Sequence, residues 1–386
     1  MNAVFTYFYQ TDMQVIYDEQ VYYWYFPFSF IGDALLNIAS VMAFFHYRKS
    51  FPLFVRRVYL GILGLVIVTS FINVPDLDVL FRPGVFFSIK GMGTWINLGI
   101  MFAAADRERT GRLLRLFYYL CCFFVVAALV KLISIGTIGD RDISMYAILE
   151  FTVDLVWVFP FFFLRRDDFG WGKGYQFTVM ILILLFALAI GARSYTLTLL
   201  CLIMLKAKDT LKISKGTGLL IFLLAVGLIA TGYFLLVNSE LYNTYQNIVD
   251  IFLKRGTEDT RTGQIVEFLK QYDTQYLFSG LGPMATWDWE NQAYASLDNQ
   301  MLLTAWWAGL PAAVLYLVYL CKAFFRKIAH PDEETRAAQI IVGFWILGCF
   351  GLAIYATMSC SVYYFFISLL IGIIYRNNEK NELEVA

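Results

Sequence analysis

Two arginines and one aspartate stand where charged side chains are costly or conspicuous. Arg193 lies in Gly191-Ala192-Arg193-Ser194 at the start of a short apolar run, on the side of the chain from which Lys and Arg are otherwise depleted. Arg261 follows Glu258 and Asp259 just ahead of a helix-like stretch, and Asp298 opens Asp298-Asn299-Gln300 before another apolar run. A guanidinium presents a rigid fork of donors to phosphate oxygens and stays charged, so Arg193 carries the chemistry of an anion clamp. Its plainer reading is a snorkelling interfacial arginine, and Arg261 reads as a member of a local ion pair worth ~0–1 kcal/mol. Asp298 stands where a carboxylate caps a helix, and nothing in its type or spacing alone asks for more.

A second set of charges interrupts apolar segments. Asp33, Lys90, Glu150 and Asp154 each fall inside a hydrophobic run. A charge at the centre of a bilayer costs ~2.5–3.5 kcal/mol on insertion scales, so these residues mark either a polar cavity or structural pairs such as Asp33 with Lys90. Gly280 and Gly282, in the stretch Phe278-Ser279-Gly280-Leu281-Gly282-Pro283, are turn residues or bring backbone close to a ligand. Trp287, Trp289 and Tyr294 are either stacking platforms for a ring or interfacial anchors.

The elements that must position these groups are helices in lipid. With 59% hydrophobic and 16% charged residues among 386, the chain reads as an all-α polytopic membrane protein. About eleven runs approach the length a spanning helix needs. They begin near Phe26, Val58, Gly84, Leu113, Met145, Tyr175, Ala192, Gly216, Asp298, Ala337 and Ser359. Every second connector is basic: Arg48 to Arg57, Arg107 to Arg115, Arg165 to Lys173, Lys206 to Lys215 and Lys322 to Arg336. Lys and Arg are retained on the cytoplasmic side, so the N-terminus is expected outside and the C-terminus inside. Residues 1–237 then hold the first eight helices, 238–297 a large extracytoplasmic loop, 298–376 the last three helices, and 377–386 a cytoplasmic tail. Within the loop, Leu241–Leu253 and Thr262–Tyr272 have amphipathic helical spacing, with Thr260 as an N-cap for the second. The first twenty residues lack a basic n-region and cleavage site, which predicts a retained N-terminus. The six cysteines fall in or beside apolar runs without CxxC spacing, which argues against a disulfide framework. His46 and His330 lie in basic connectors, no metal-ligand cluster appears in the loop, and no basic patch with interleaved aromatics points to nucleic acid. No metal or cofactor is expected.

From Leu188 to Leu320 a set of short motifs in fixed order resembles the O-antigen ligase and polymerase superfamily of bacterial envelopes: the Gly191-Ala192-Arg193-Ser194 tetrad, a long loop with Arg261 and the FSGLGPMATW turn, Asp298-Asn299-Gln300-Met301-Leu302-Leu303, then Trp307-Ala308-Gly309-Leu310-Pro311. The resemblance implies a multi-helix glycosyltransferase of the bacterial cytoplasmic membrane, acting on glycans linked to undecaprenyl diphosphate at the outer face. Arg193 and Arg261 would hold the diphosphate, with Lys90, Gly280, Gly282 and Trp287 also lining the substrate site. Such ligases carry a His at the end of the loop, where this chain has Asp298, which favours a repeat-unit polymerase, with a chain-length regulator as partner. A diphosphate is already a good leaving group, so the chemistry asks for fixed cations and a base near the acceptor hydroxyl, a role that the resemblance implies for Asp298, with Glu267 next in line. A ligase, a lipid-linked sugar transporter with inverted repeats and a noncatalytic assembly protein are the alternatives.

Overall fold

The computed structural model describes residues 19–74, 76–87, 91–135, 157–165, 173–189, 193–211, 260–289, 292–294, 297, 299–328, 331–350 and 362–376. These are mostly helical. In chain order the main elements are α1 (Glu19–Tyr47), α2 (Leu53–Asn73), α3 (Met92–Ile96), a 3-10 stretch (Asn97–Ala105), α4 (Arg107–Ile135), α5 (Lys173–Ala189), α6 (Arg193–Leu211), α7 (Thr260–Gln271), strands β1 (Trp287–Trp289) and β2 (Gln292–Tyr294), α8 (Gln300–Ala308), α9 (Leu310–Phe324), α10 (Glu333–Cys349) and α11 (Val362–Arg376). The chain divides into two compact units, one of Met1–Leu120 with Thr260–Ala386 and the other Cys121–Asp259.

Among the described residues one helix, Leu53–Asn73, is long and apolar enough to cross a membrane; Met92–Ala105, Tyr175–Ala187, Tyr195–Lys206, Leu310–Phe324 and Tyr364–Arg376 are apolar but shorter. The third run, expected as a helix from Gly84, is interrupted. Helix Pro83–Phe86 stops before α3 starts at Met92, so Lys90 falls between them, outside the described residues. The eighth run and the first loop helix, Leu241–Leu253, also lie outside the described residues, as do Glu150 and Asp154.

In the larger unit, α3 and the 3-10 stretch run beside α1, and the 3-10 stretch also packs on α11. The rings of Phe44 and Phe102 lie 5.1 Å apart and the Tyr47 hydroxyl donates to Asp106 at 3.2 Å, so α1 and the 92–105 segment are parallel. A buried aromatic column ties α3, α8, α9 and α10 together: Trp95 meets Trp307 and Tyr316 edge to face, and the Trp345 indole donates to the Tyr316 hydroxyl at 3.3 Å. Such pairs add ~0.5–1.5 kcal/mol each beyond the area they bury. On α1, Ile31, Leu35, Ile38, Met42 and Phe45 face outward while Asp33, Asn37 and Ser40 are buried. That is the reverse of an amphipathic helix on a water-soluble protein.

Connectors of like composition gather at the same end of this unit. Arg376 pairs with Glu334 at 2.9 Å and donates to the Ala104 carbonyl at 3.2 Å, Gln339 donates to the Arg326 carbonyl at 2.9 Å, and Lys322 lies over the Phe54 ring. With Tyr47 and Asp106, these contacts collect the turns around 47–57, 104–109, 322–336 and 376. The opposite end holds the C-terminus of α2 and the segment 272–299, where Asn73 packs on Gly282. In the smaller unit, α5 and α6 pack together, and the Lys206 ammonium of α6 donates to the Leu164 carbonyl at 2.9 Å beside the Phe163 ring. A buried ammonium keeps its charge only with such oxygen and ring partners.

Candidate functional site

The described residues between Thr260 and Tyr294 fold as a cap on α8. Apolar spacing sets α7, which begins at Thr260, so that residue is the first of the helix and not its cap. The ring of Phe268 points inward and meets Tyr272, Trp287 and Trp306 at 5.7, 5.7 and 5.3 Å between centroids. One turn on, the Gln271 side chain donates to the Asp288 carbonyl at 2.7 Å and accepts from the Asp288 N–H at 2.9 Å, which holds the outer edge of β1 as a neighbouring strand would. The antiparallel register pairs Trp287 with Tyr294 and Trp289 with Gln292. This hairpin adds two short strands to a loop that the sequence predicts to be partly helical. Tyr272 completes the attachment by donating to the Ala305 carbonyl at 3.3 Å, and burial raises its phenol above the ordinary tyrosine range.

The turn after α7 is inserted into a break in the bundle. The ninth run was expected as one helix from Asp298; instead α8 ends at Ala308 and α9 restarts at Leu310, with Gly309 between them at φ 83° and ψ 156°. A helix end leaves carbonyls without intrahelical partners. Here the Leu281 and Gly282 N–H groups donate to the Trp306 and Trp307 carbonyls, each at 2.8 Å, and the Leu310 N–H donates back to the Leu277 carbonyl at 2.7 Å. Gly280 and Gly282 adopt φ 64° and 80°. A Cβ at Gly280 would lie 2.4 Å from the Trp307 carbonyl oxygen, and one at Gly282 would lie 2.6 Å from the Asn73 Cβ. The close approach these glycines permit in the structure is to the chain's own backbone and to α2, as turn residues. Trp287 is buried in the same cap. It is 4% exposed and fills the underside of the cap, so its faces are not open to a sugar.

Of the charged candidates, Arg193 and Arg261 each stand in the first turn of a helix, α6 and α7, one in each compact unit. Their side chains lie outside the described part, as do Asp298 and the side chains of Trp289 and Tyr294. The cap of α8 is Asn299, whose side chain accepts from the Leu302 N–H at 3.0 Å. Capping, the plainer role expected of Asp298, is thus filled by its neighbour. Glu267 pairs with Lys270 at 3.0 Å on the exposed face of α7, and that ammonium lowers its pKa. Ion pairing of this kind makes it a weaker base. Among the described residues no three His, Cys, Asp or Glu side chains come together as a metal site requires.

Sequence reasoning singled out Asp33 but missed what continues it. Asp33, Asn37 and Ser40 recur at i, i+4 and i+7, form the buried face of α1, and meet the segment that buries Thr94 and Asn97. Asn37 donates to the Asp33 carbonyl at 2.9 Å, while Asn37 Oδ1 and Ser40 Oγ have no hydrogen-bond partner among the described residues. Oxygens left facing an apolar core can accept from water or from a ligand hydroxyl. The polar spacing was the available signal, hidden because only the charged member of the stripe drew notice.

Comparison of the chain with family models, with curated proteins and with solved structures returns no match.

Proposed function

We propose that the chain is a multi-pass protein of the bacterial cytoplasmic membrane that joins oligosaccharide repeat units carried on undecaprenyl diphosphate. The observation that carries this reading is the cap: a folded segment, seated by its own backbone in a broken apolar helix, at the end of the bundle away from the basic connectors. The outward apolar and inward polar faces of α1 suit lipid rather than water. With about eleven spans the N-terminus and the cap are outside, where a flipped lipid-linked glycan arrives, and the C-terminus is cytoplasmic. In the reaction an acceptor hydroxyl oxygen attacks the anomeric carbon, the carbon–oxygen bond to the diphosphate breaks, and the electron pair leaves with the diphosphate. Arg193 and Arg261 have the task of holding that charge. Asp298, relieved of capping by Asn299, takes the hydroxyl proton.

The function is tested in a strain lacking the chain and complemented with variants. Asp298→Asn is expected to insert normally and leave single repeat units on the lipid carrier, detected by mass spectrometry of extracted lipids; polymer of wild-type length from this variant would remove Asp298 from the chemistry. Arg261→Lys keeps the charge but loses the fork. Loss of one charge-assisted hydrogen bond, worth ~1.5–3 kcal/mol, corresponds to a fall of roughly tenfold to hundredfold in polymerisation rate. Unchanged rates from both Arg261→Lys and Arg193→Lys would argue against a bidentate clamp. For orientation, Gln275→Cys in the cap is expected to react with an impermeant maleimide in intact cells, and Lys327→Cys only after the membrane is opened. The opposite pattern would invert the topology.

A further inference from the structure

Between Leu277 and Ala285 the cap carries no charged residue, although Lys270, Asp273 and Asp288 flank it closely on either side. Two large apolar side chains of this turn face outward, Phe278 at 72% exposure and Met284 at 52%. They are held there, because the turn is bonded through Leu277, Leu281 and Gly282 to the break between α8 and α9. The Phe278 carbonyl lies against Gly309, which puts Phe278 beside Leu310, and Leu310 and Val314 are exposed one helical turn apart on α9. On the other flank Gly282 touches Asn73, directly after the exposed Phe71 and Ile72 of α2. The exposed apolar faces of two helices therefore run up onto the turn.

We propose that this turn is a membrane anchor, with Phe278 and Met284 seated in the interfacial layer of the outer leaflet. The inference rests on the membrane reading above and adds that the cap does not stand clear in water. Lipid is the occupant that the continuity favours, because whatever covers the turn also covers the exposed side chains along α2 and the first turns of α9, and acyl chains do so without a complementary surface. An uncharged turn between polar flanks is the composition that partitions into such an interface, with the ionic residues left in water.

The test places the photoreactive residue p-benzoylphenylalanine, one position at a time, at Phe278, Met284, Gln275 and Leu60 of the full-length chain. Each protein is reconstituted in vesicles of phosphatidylethanolamine and phosphatidylglycerol, irradiated, and weighed by intact-mass spectrometry. The expected result is a mass gain of one phospholipid at Phe278, Met284 and Leu60 and none at Gln275, which is exposed in the polar part of the cap. Lipid adducts at Leu60, on the outward face of α2, without adducts at either turn position would overturn the anchor while leaving the membrane reading standing. A cross-linked pair of chains from Phe278 would overturn it in favour of a second copy. Absence of adducts at Leu60 as well would remove the membrane reading and the anchor with it.

Discussion

Gly309→Ala is expected to destabilise the protein by about 3 kcal/mol or more, which is severe for an added methyl group. At φ 83° and ψ 156° the residue occupies backbone space that is essentially glycine's alone, and a Cβ there would lie 2.2 Å from the Phe278 carbonyl oxygen. Backbone on both sides is fixed by hydrogen bonds, so the clash cannot be relieved by a side-chain rotation. Either the cap turn lifts out of the break or the last turn of α8 unwinds. The measurement is thermal melting of the purified protein in detergent together with trypsin cleavage at Lys270. The variant should melt earlier and be cut faster, while Ser279→Ala in the same turn should behave as wild type. Wild-type melting and cleavage from Gly309→Ala would show that the turn is not seated as described.

Glu334→Ala is expected to be comparably damaging at the other end of the bundle. The Arg376 and Glu334 side chains are only 6% and 17% exposed and meet at 2.9 Å, with the Ala104 carbonyl as a further acceptor for the guanidinium. Removing the carboxylate leaves a buried cation with the Ala104 carbonyl and the weaker attraction of Asp332, a defect that costs ~3–5 kcal/mol at most. The double variant Glu334→Leu with Arg376→Met removes both charges and is expected to recover most of the loss, because a buried pair is often worth little more than apolar packing of the same volume. Melting curves of the single and double variants decide it. A single variant as stable as wild type would mean that water reaches the guanidinium and replaces the carboxylate.

Local patterns were legible in the sequence to the extent that they are local. The spacing of Ile265, Val266, Phe268 and Leu269 announced α7 to within two residues, because four apolar residues on a 3.6-residue period have few other uses. The face was less legible: Phe268 is buried but Val266 and Leu269 are exposed, since a period does not say which edge of the stripe meets the partner. The break at Gly309 had a signal in Gly309-Leu310-Pro311, a glycine past one helix end and a proline within the first turn of the next. Continuous hydrophobicity across it masked that signal. Asp298 and Asn299 are equivalent as cap candidates in sequence, and only the hydrogen bond to Leu302 separates them. Nothing local could reveal that the carbonyls of Trp306 and Trp307 are satisfied by Leu281 and Gly282, because that pairing exists only once the cap has closed on α8.

The 3-10 stretch has a consequence for reach. At ~2.0 Å per residue its nine residues extend roughly 18 Å, where an α-helix of the same count would cover about 13–14 Å. Together with the single turn of α3 the segment reaches ~25 Å, close to the thickness of a hydrocarbon slab, although the interruption before Met92 has shortened the run that begins near Gly84. The tighter winding recovers roughly 4–5 Å of the length that the interruption removes, so the short rod falls less far behind the longer α1 beside it. A reversion of Asn97–Ala105 to ordinary helix would leave that rod several ångströms short, and on the membrane reading proposed above the shortfall would be met by thinning of the lipid or by pulling one end connector inward. Residue count, on which hydropathy reading relies, is for this segment a poor measure of span.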